Sequence, residues 1–136
     1  MSLLMPSKVK FRKMQKGRNR GIARRGTTLS FGAFGIKSLE HGYITSRQLE
    51  ASRRVILRFL KKGGKMWIRI FPAKPITTKG AEMPMGGGKG AVDHYAFPCQ
   101  PGRVIFELDG LTEAEAREAL TKAAHKLPVA VKFILK

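Results

Sequence analysis

The stretch Thr45-Ser46-Arg47-Gln48-Leu49-Glu50-Ala51-Ser52-Arg53-Arg54-Val55-Ile56-Leu57-Arg58-Phe59-Leu60-Lys61-Lys62 decides how this chain is read. Thr45 with Gln48 three residues on forms a capping box, in which each side chain serves a backbone N–H that the first helical turn leaves unpaired. At helical spacing Leu49, Ser52, Ile56, Phe59 and Leu60 share one face. Arg47, Arg54, Arg58, Lys61 and Lys62 fall within about 100° of arc on the opposite face, with no acid among them. The spacing predicts a helix over residues 45–62, ended by Gly63-Gly64. One face meets a core and the other is a basic stripe. A merely solvated face usually mixes its signs.

Working outward, residues 65–71 read as a strand, with Met66, Ile68 and Ile70 facing one way and Trp67, Arg69 and Phe71 the other. Pro72 and Pro75 break the pattern. A glycine-rich loop spans residues 79–91. Residues 92–97 and 103–109 make two strands, joined as a hairpin through Pro101-Gly102. Thr112 with Glu115 opens a second helix that runs to about residue 126, with Ala116, Leu120, Ala123 and Leu127 inward and Pro128 as its stop. Residues 129–135 form a last strand. Upstream, residues 27–39 alternate loosely through Leu29, Phe31, Phe34, Ile36 and Leu39, a strand with a bulge or bend near Gly32 or Gly35. The expected fold is α+β, two helices packed on one largely antiparallel sheet. An extended basic arm, residues 1–26, precedes a single domain over residues 27–136.

Charge narrows the function. The 136 residues hold 27 Lys and Arg against 9 Asp and Glu, a net charge of +18. Such an excess repels itself unless a polyanion offsets it, so RNA, DNA and anionic membrane are the candidate partners. The excess is segregated: residues 80–136 hold seven basic and seven acidic residues, so all of it lies upstream. That distribution joins a polyanion-binding half to an ordinary folded half. No apolar run is long enough to span a bilayer, and the first residues lack the apolar core of a secretory signal.

Residues 6–26 carry nine basic residues, Lys8, Lys10, Arg12, Lys13, Lys16, Arg18, Arg20, Arg24 and Arg25, with three glycines and no regular periodicity. A stretch so poor in apolar surface is expected to order on its partner, and Phe11, Met14 and Ile22 give it groups that dock.

Catalytic chemistry finds little support. His41, His94 and His125 are scattered without metal spacing. The single cysteine, Cys99, excludes an internal disulfide and reads as a small buried side chain. Asp93 and His94 are strand neighbours and are expected on opposite faces. The loop Met85-Gly86-Gly87-Gly88-Lys89-Gly90 resembles a phosphate loop but lacks two of its requirements: Met83 stands where a glycine is needed, and Gly90 where Ser or Thr would hold magnesium. Its glycines still let backbone N–H groups approach an anion, with Lys89 as a point charge. No cofactor and no metal are expected.

Several stretches together resemble ribosomal protein L sixteen of the large subunit: Lys10 to Met14, Lys16-Gly17-Arg18, Arg20-Gly21, Ser30-Phe31-Gly32, Phe34-Gly35, Ile44 to Ala51, Lys65 to Pro72, Met85 to Gly90, and Ala124 to Pro128. They run in family order from about residue 6 to 135, and only their combination is specific. The resemblance implies a non-enzymatic α+β domain on large-subunit rRNA, near the peptidyl-transferase centre, that helps organise the aminoacyl-tRNA site. It implies tRNA and neighbouring large-subunit proteins as further partners, with no membrane and no homo-oligomer. Many bacterial members carry Arg-Met-Gly-Lys-Gly-Lys-Gly at the loop; here Pro84 and Gly87 replace the arginine and the first lysine, so roles tied to that arginine are not carried over. The run from Gly86 to Tyr95 looks more like mitochondrial members, whereas the arm looks bacterial. The mitochondrial matrix is the preferred location, with bacterial cytoplasm as the alternative.

The residues expected to bind rRNA are the nine basic residues of the arm with Arg47, Arg54, Arg58, Lys61 and Lys62. Residues Met85 to Gly90 are expected to lie toward tRNA and the peptidyl-transferase region. A free-standing nucleic-acid-binding protein shares the charge argument but shows no helix-turn-helix, zinc-finger or basic-zipper pattern. An enzyme built on the glycine loop is the third reading.

Overall fold

The computed structural model describes residues 3–60, 63–83 and 85–136. The expectations for Lys61, Lys62 and Pro84 lie outside the described residues. Seven strands and two helices follow in the order β1 (Phe34–Ser38), β2 (Gly42–Thr45), α1 (Ser46–Leu57), β3 (Lys65–Ile68), β4 (Lys74–Thr78), β5 (Ala91–Cys99), β6 (Val104–Asp109), α2 (Glu113–Ala124) and β7 (Val131–Leu135). The α+β class holds, with two antiparallel sheets rather than one, ordered β3-β6-β1-β7 and β2-β5-β4.

The expected hairpin through Pro101-Gly102 does not form. β5 and β6 are consecutive in the chain yet belong to different sheets. Gly102 takes φ 95°, a left-handed value that turns the chain from one sheet into the other. β4 carries Pro75, expected to break the strand pattern. β4 is an edge strand, and there a residue without an N–H costs no ladder bond.

The helix starts follow the capping chemistry. Thr45 N–H donates to Gln48 Oε1 at 2.9 Å, and Gln48 N–H donates to Thr45 Oγ1 at 3.2 Å. Glu115 N–H donates to Thr112 Oγ1 at 3.3 Å at the start of α2. α1 ends earlier than expected: bonds from Phe59 to Ile56 and from Leu60 to Leu57 tighten its last turn before the glycines are reached. Leu49, Ser52 and Ile56 are buried as the periodicity requires. Ser52, a hydroxyl on that apolar face, donates to Gln48 O and lies 3.2 Å from Ala123 O of α2, so its burial leaves no polar group unpaired.

β6 is central to the larger sheet, and Val104 to Leu108 are all buried. Phe106 and Leu108 join Ile36, Leu49, Ile56, Ala116, Ala119, Leu120 and Ala123 in one core, with Met66 and Ile68 packed against it. The expected bulge appears as a register shift between Ile36 and Lys37 of β1. Gly32 and Gly35 mark close backbone approach instead: a Cβ at Gly32 would lie 2.4 Å from Leu108 O, and one at Gly35 2.6 Å from Phe106 O.

Residues 27–33 form no strand. Ser30, Phe31 and Gly32 donate their N–H groups to Glu107 Oε1 at 3.0, 2.8 and 2.8 Å, while Arg69 Nη1 pairs with Oε2. Glu107 is fully buried. Burial works against its charged form, but the bonds from Gly32, Phe31, Arg69 and Ser30 prevail and hold its carboxyl below the usual carboxylate range. A depressed folded pKa gives stability that is present above the unfolded value, 4.5, and lost as pH falls through the folded one. The midpoint of urea unfolding should therefore fall as pH drops below 4.5, and Glu107→Gln should blunt that dependence. Glu107→Ala, which strands Arg69 and three N–H groups, should cost about 3–5 kcal/mol at neutral pH. A cost under about 1 kcal/mol would show that the clasp contributes little.

Candidate nucleic-acid interface

Residues 3–33 contain no helix or strand, and their backbone is tied to the folded part through both carbonyls and N–H groups. Lys74 Nζ donates to Lys16 O, Gln100 Nε2 to Arg20 O, Ala23 N–H to Pro101 O and Val104 N–H to Gly26 O, and His41 Nε2 lies 2.7 Å from Gly21 O. Asn19 Nδ2 reaches Cys99 O at 2.9 Å. With the backbone turned inward, Lys8, Lys10, Arg12, Lys13, Lys16, Arg18, Arg20, Arg24 and Arg25 are all exposed. Carbonyls of this segment take several of the folded part's donors, Ala23 N–H and Asn19 Nδ2 donate the other way, and most of the ammonium and guanidinium groups stay in water.

The glycine-rich loop joins β4 to β5 at the end of an antiparallel pair. A nucleotide-binding P-loop runs from a strand into a helix, so the enzyme reading loses its structural context as well as its motif. Gly86, Gly87 and Gly88 take φ values of 101, 74 and 93°, which L-residues rarely adopt, and Met85 is fully exposed beside them. Lys79 Nζ donates to Gly86 O. At the loop's base Lys13 Nζ donates to Lys89 O, and Lys89 Nζ donates to Met14 O. The structure thus brings the loop and residues 13–16 together. Between them lies a cleft of ≈ 440 Å³ lined by Met14, Lys16, Tyr43, Lys74, Lys89 and His94.

Arg47, Arg54 and Arg58 are exposed on α1 or its C-cap, as the periodicity requires. Arg47 shares a second cleft with Leu3, Met5, Asp93 and His94. Arg54 and Arg58 lie about 10 and 16 Å further along the helix axis. The stripe is not free of acid. Glu50 takes two bonds from Arg53, at 2.7 and 2.6 Å, and one from Arg54 at 3.2 Å. The Arg53 bonds, opposed by burial and aided by the charges of both arginines, bring its carboxyl down to about 2. One carboxylate four residues back on the helix reaches Arg54, which the arc of basic residues alone did not reveal.

Asp93 and His94 do meet, contrary to the alternation argument: His94 Nδ1 lies 2.7 Å from Asp93 Oδ2. The register between β4 and β5 steps from Ile76↔His94 to Thr77↔Val92, so Asp93 is an extra residue and the alternation of faces fails there. Trp67, on the strand face opposite Met66 and Ile68, is half-buried and stacks on exposed Phe31, with ring centroids 5.9 Å apart. Cys99 is buried, and burial pushes its thiol up. Among the described residues no cluster of His, Cys, Asp and Glu could hold a metal, and no helix is long and apolar enough to cross a membrane.

Lys74, Lys79, Arg69 and Arg103 were missed as members of this surface. They sit singly in or beside strands, where no periodicity marks them. The positions of Lys74, Arg69 and Arg103 depend on contacts made across 34 to 78 residues of chain, such as those of Arg103 with Arg69 O and Arg25 O, whereas Lys79 reaches Gly86 O seven residues on.

Fold and surface define a class: a small α+β domain with an exposed face of lysines and arginines and a glycine loop open to solvent. The family model for ribosomal protein L16p/L10e matches residues 6–134. A protein of Alkalilimnicola ehrlichii named large ribosomal subunit protein uL16 is 57% identical over 132 residues, 97% of this chain and 96% of the relative. Its namesake in Halorhodospira halophila is 54% identical over the same shares of both chains. The chain belongs to the ribosomal protein L16p/L10e family, whose role is structural rather than enzymatic. Both relatives are bacterial, so the preference for mitochondria finds no support in them.

The loop and the core make opposite demands on glycine. Gly87→Ala meets no atom within 4 Å, and its cost, about 1–2 kcal/mol of left-handed strain, can relax within the loop. Gly32→Ala drives a methyl against Leu108 O. Urea unfolding should show Gly32→Ala the more destabilised by at least about 2 kcal/mol; equal midpoints would mean that residues 30–32 can shift freely.

Proposed function

We propose that this protein is a structural constituent of the large ribosomal subunit that docks on rRNA through three basic surfaces. These are the arm over residues 1–26, the α1 stripe of Arg47, Arg54 and Arg58 together with the basic residues Lys61 and Lys62 that follow in sequence, and the loop from Met85 to Gly90. In this reading residues 27–136 form the single rRNA-binding domain. The observation that carries it is the charge of residues 8–25, nine exposed cations and no acid, on a segment whose backbone is bonded to the folded part at Met14, Lys16, Arg20, Gly21 and Ala23. An RNA crevice supplies the phosphates that such a segment needs, and phosphate contacts position a protein on RNA.

The finer reading follows the family resemblance. The domain sits near the peptidyl-transferase centre, the open glycine loop points toward tRNA, and the protein helps to organise the aminoacyl-tRNA site. It acts as a single copy among neighbouring large-subunit proteins. The bacterial relatives favour a bacterial cytoplasmic ribosome as its location.

A C-terminally tagged copy should co-sediment with large subunits and whole ribosomes on a sucrose gradient in moderate salt and magnesium. A peak confined to the top of the gradient would reject the assignment. In isolation, neutralising roughly 6–10 phosphates predicts an affinity for large-subunit rRNA that drops about 10³–10⁵-fold between 50 and 200 mM salt. Arg47→Glu combined with Arg58→Glu should reduce incorporation into subunits while leaving the unfolding midpoint within about 0.5 kcal/mol of the parent. Normal incorporation would remove the helix stripe from the interface.

A further inference from the structure

Phe31 is 58% exposed, an unusual position for a phenyl ring that the fold holds in place so firmly. Its own N–H and those of Ser30 and Gly32 all donate to the buried Glu107 carboxylate. Trp67 stacks against it with an interplanar angle of 19°. The Arg69 guanidinium lies 5.3 Å from its ring centroid and is itself held by Glu107. A single buried carboxylate therefore fixes both the backbone under the ring and the arginine beside it. The ring needs none of this to stay out of water, because it is not out of water.

The surroundings are cationic. Arg103 donates to Arg69 O at 3.0 Å and approaches Arg25 O at 3.5 Å. It lies over the Phe97 ring and lines a cleft of ≈ 450 Å³ with Ile22, Arg24, Arg25 and Phe97. A path of arginines and aromatic rings thus runs from Arg24 and Arg25 through Arg103 to Arg69 and Phe31. Arginine and aromatic faces in alternation suit a single strand, whose phosphates meet guanidinium groups while its bases stack.

We propose that Phe31, backed by Trp67 and flanked by Arg69, is a preorganised platform for one unpaired RNA base. The proposal rests on the rRNA-binding reading and adds to it a base contact at a residue that charge alone does not mark. Phe31 contributes the stacking surface, the Arg69 guanidinium over its ring a cation beside the bound base, and Arg24 and Arg25 the phosphate contacts on the incoming strand. Glu107 is a positioning residue that does not touch RNA.

The test uses large-subunit rRNA transcribed with 5-iodouridine or, in parallel, 4-thiouridine, bound to the full chain and irradiated. Digestion and mass spectrometry then map the cross-links. A cross-link at Phe31 is expected, lost in Phe31→Leu. Phe31→Leu should weaken binding roughly tenfold with an unchanged salt slope, because a base contact and not a phosphate contact is removed, and Phe31→Tyr should bind as the parent does. Unfolding midpoints of both variants guard against a general loss of structure. If the RNA binds, cross-links fall elsewhere and Phe31→Leu binds as tightly as the parent, the platform is overturned while the rRNA reading stands. If the parent fails to bind the RNA at all, both fall. A steeper or shallower salt slope in Phe31→Leu would also count against stacking.

Discussion

The Glu107 carboxylate has no exposure to solvent, and a bare charge there would cost several kcal/mol. It is tolerated because four groups converge on it: three successive N–H groups from residues 30–32 and the Arg69 guanidinium. Each partner comes from an irregular segment beside β6, where Arg69 N–H also donates to Ile105 O and Ala33 N–H to Leu108 O. Residues 30–32 form no strand, and Arg69 stands just beyond the end of β3. The carboxylate sits on β6, the strand between β3 and β1, so its bonds hold an irregular segment against the most buried strand of the fold. Close approach of Gly32 to Leu108 O is the steric counterpart, since a side chain there would push the segment off its acceptor.

The rest of the basic surface is built on a similar division of labour between backbone and side chain. A chain of net charge +18 cannot gather its cations against a core. It can gather carbonyls. Donors on Lys74, Gln100 and Val104 reach carbonyls of residues 16–26, and Ala23 N–H donates to Pro101 O, which leaves the charged termini of Lys16, Arg18, Arg20, Arg24 and Arg25 exposed to an external anion. The two buried acids pair within the fold: Glu107 with Arg69, and Glu50 with Arg53 and Arg54. Repulsion among the remaining cations opposes the folded state until a polyanion relieves it, so assembly with RNA and stability of the domain are coupled.

Much of this was legible before any coordinates. Thr45 with Gln48 located the start of α1, because capping is a contact between residues three apart. The burial of Leu49, Ser52 and Ile56 followed from helical period, and the charge asymmetry named a polyanion as partner. What was misread involved contacts distant in sequence or exceptions to a period. The separation of β5 from β6 turns on Gly102. The strand at Pro75 exists because β4 is an edge. The meeting of Asp93 and His94 needs a bulge that is defined only by the register with β4. Trp67 could be given a face but not a neighbour, since Phe31 lies 36 residues away in the chain.

By itself, then, the sequence determined the local and the additive properties: helix starts, which residues alternate, where charge accumulates, and the absence of a complete nucleotide-binding motif. These depend on neighbours within a few residues or on simple sums along the chain. Tertiary structure alone decided that there are two sheets rather than one, that residues 13–16 meet the glycine loop at Lys89, and that an exposed phenyl ring is locked in place by a carboxylate 76 residues on. Each of those is a pairing between segments that chain entropy keeps apart until the core forms, and no local pattern encodes which distant donor will find which acceptor.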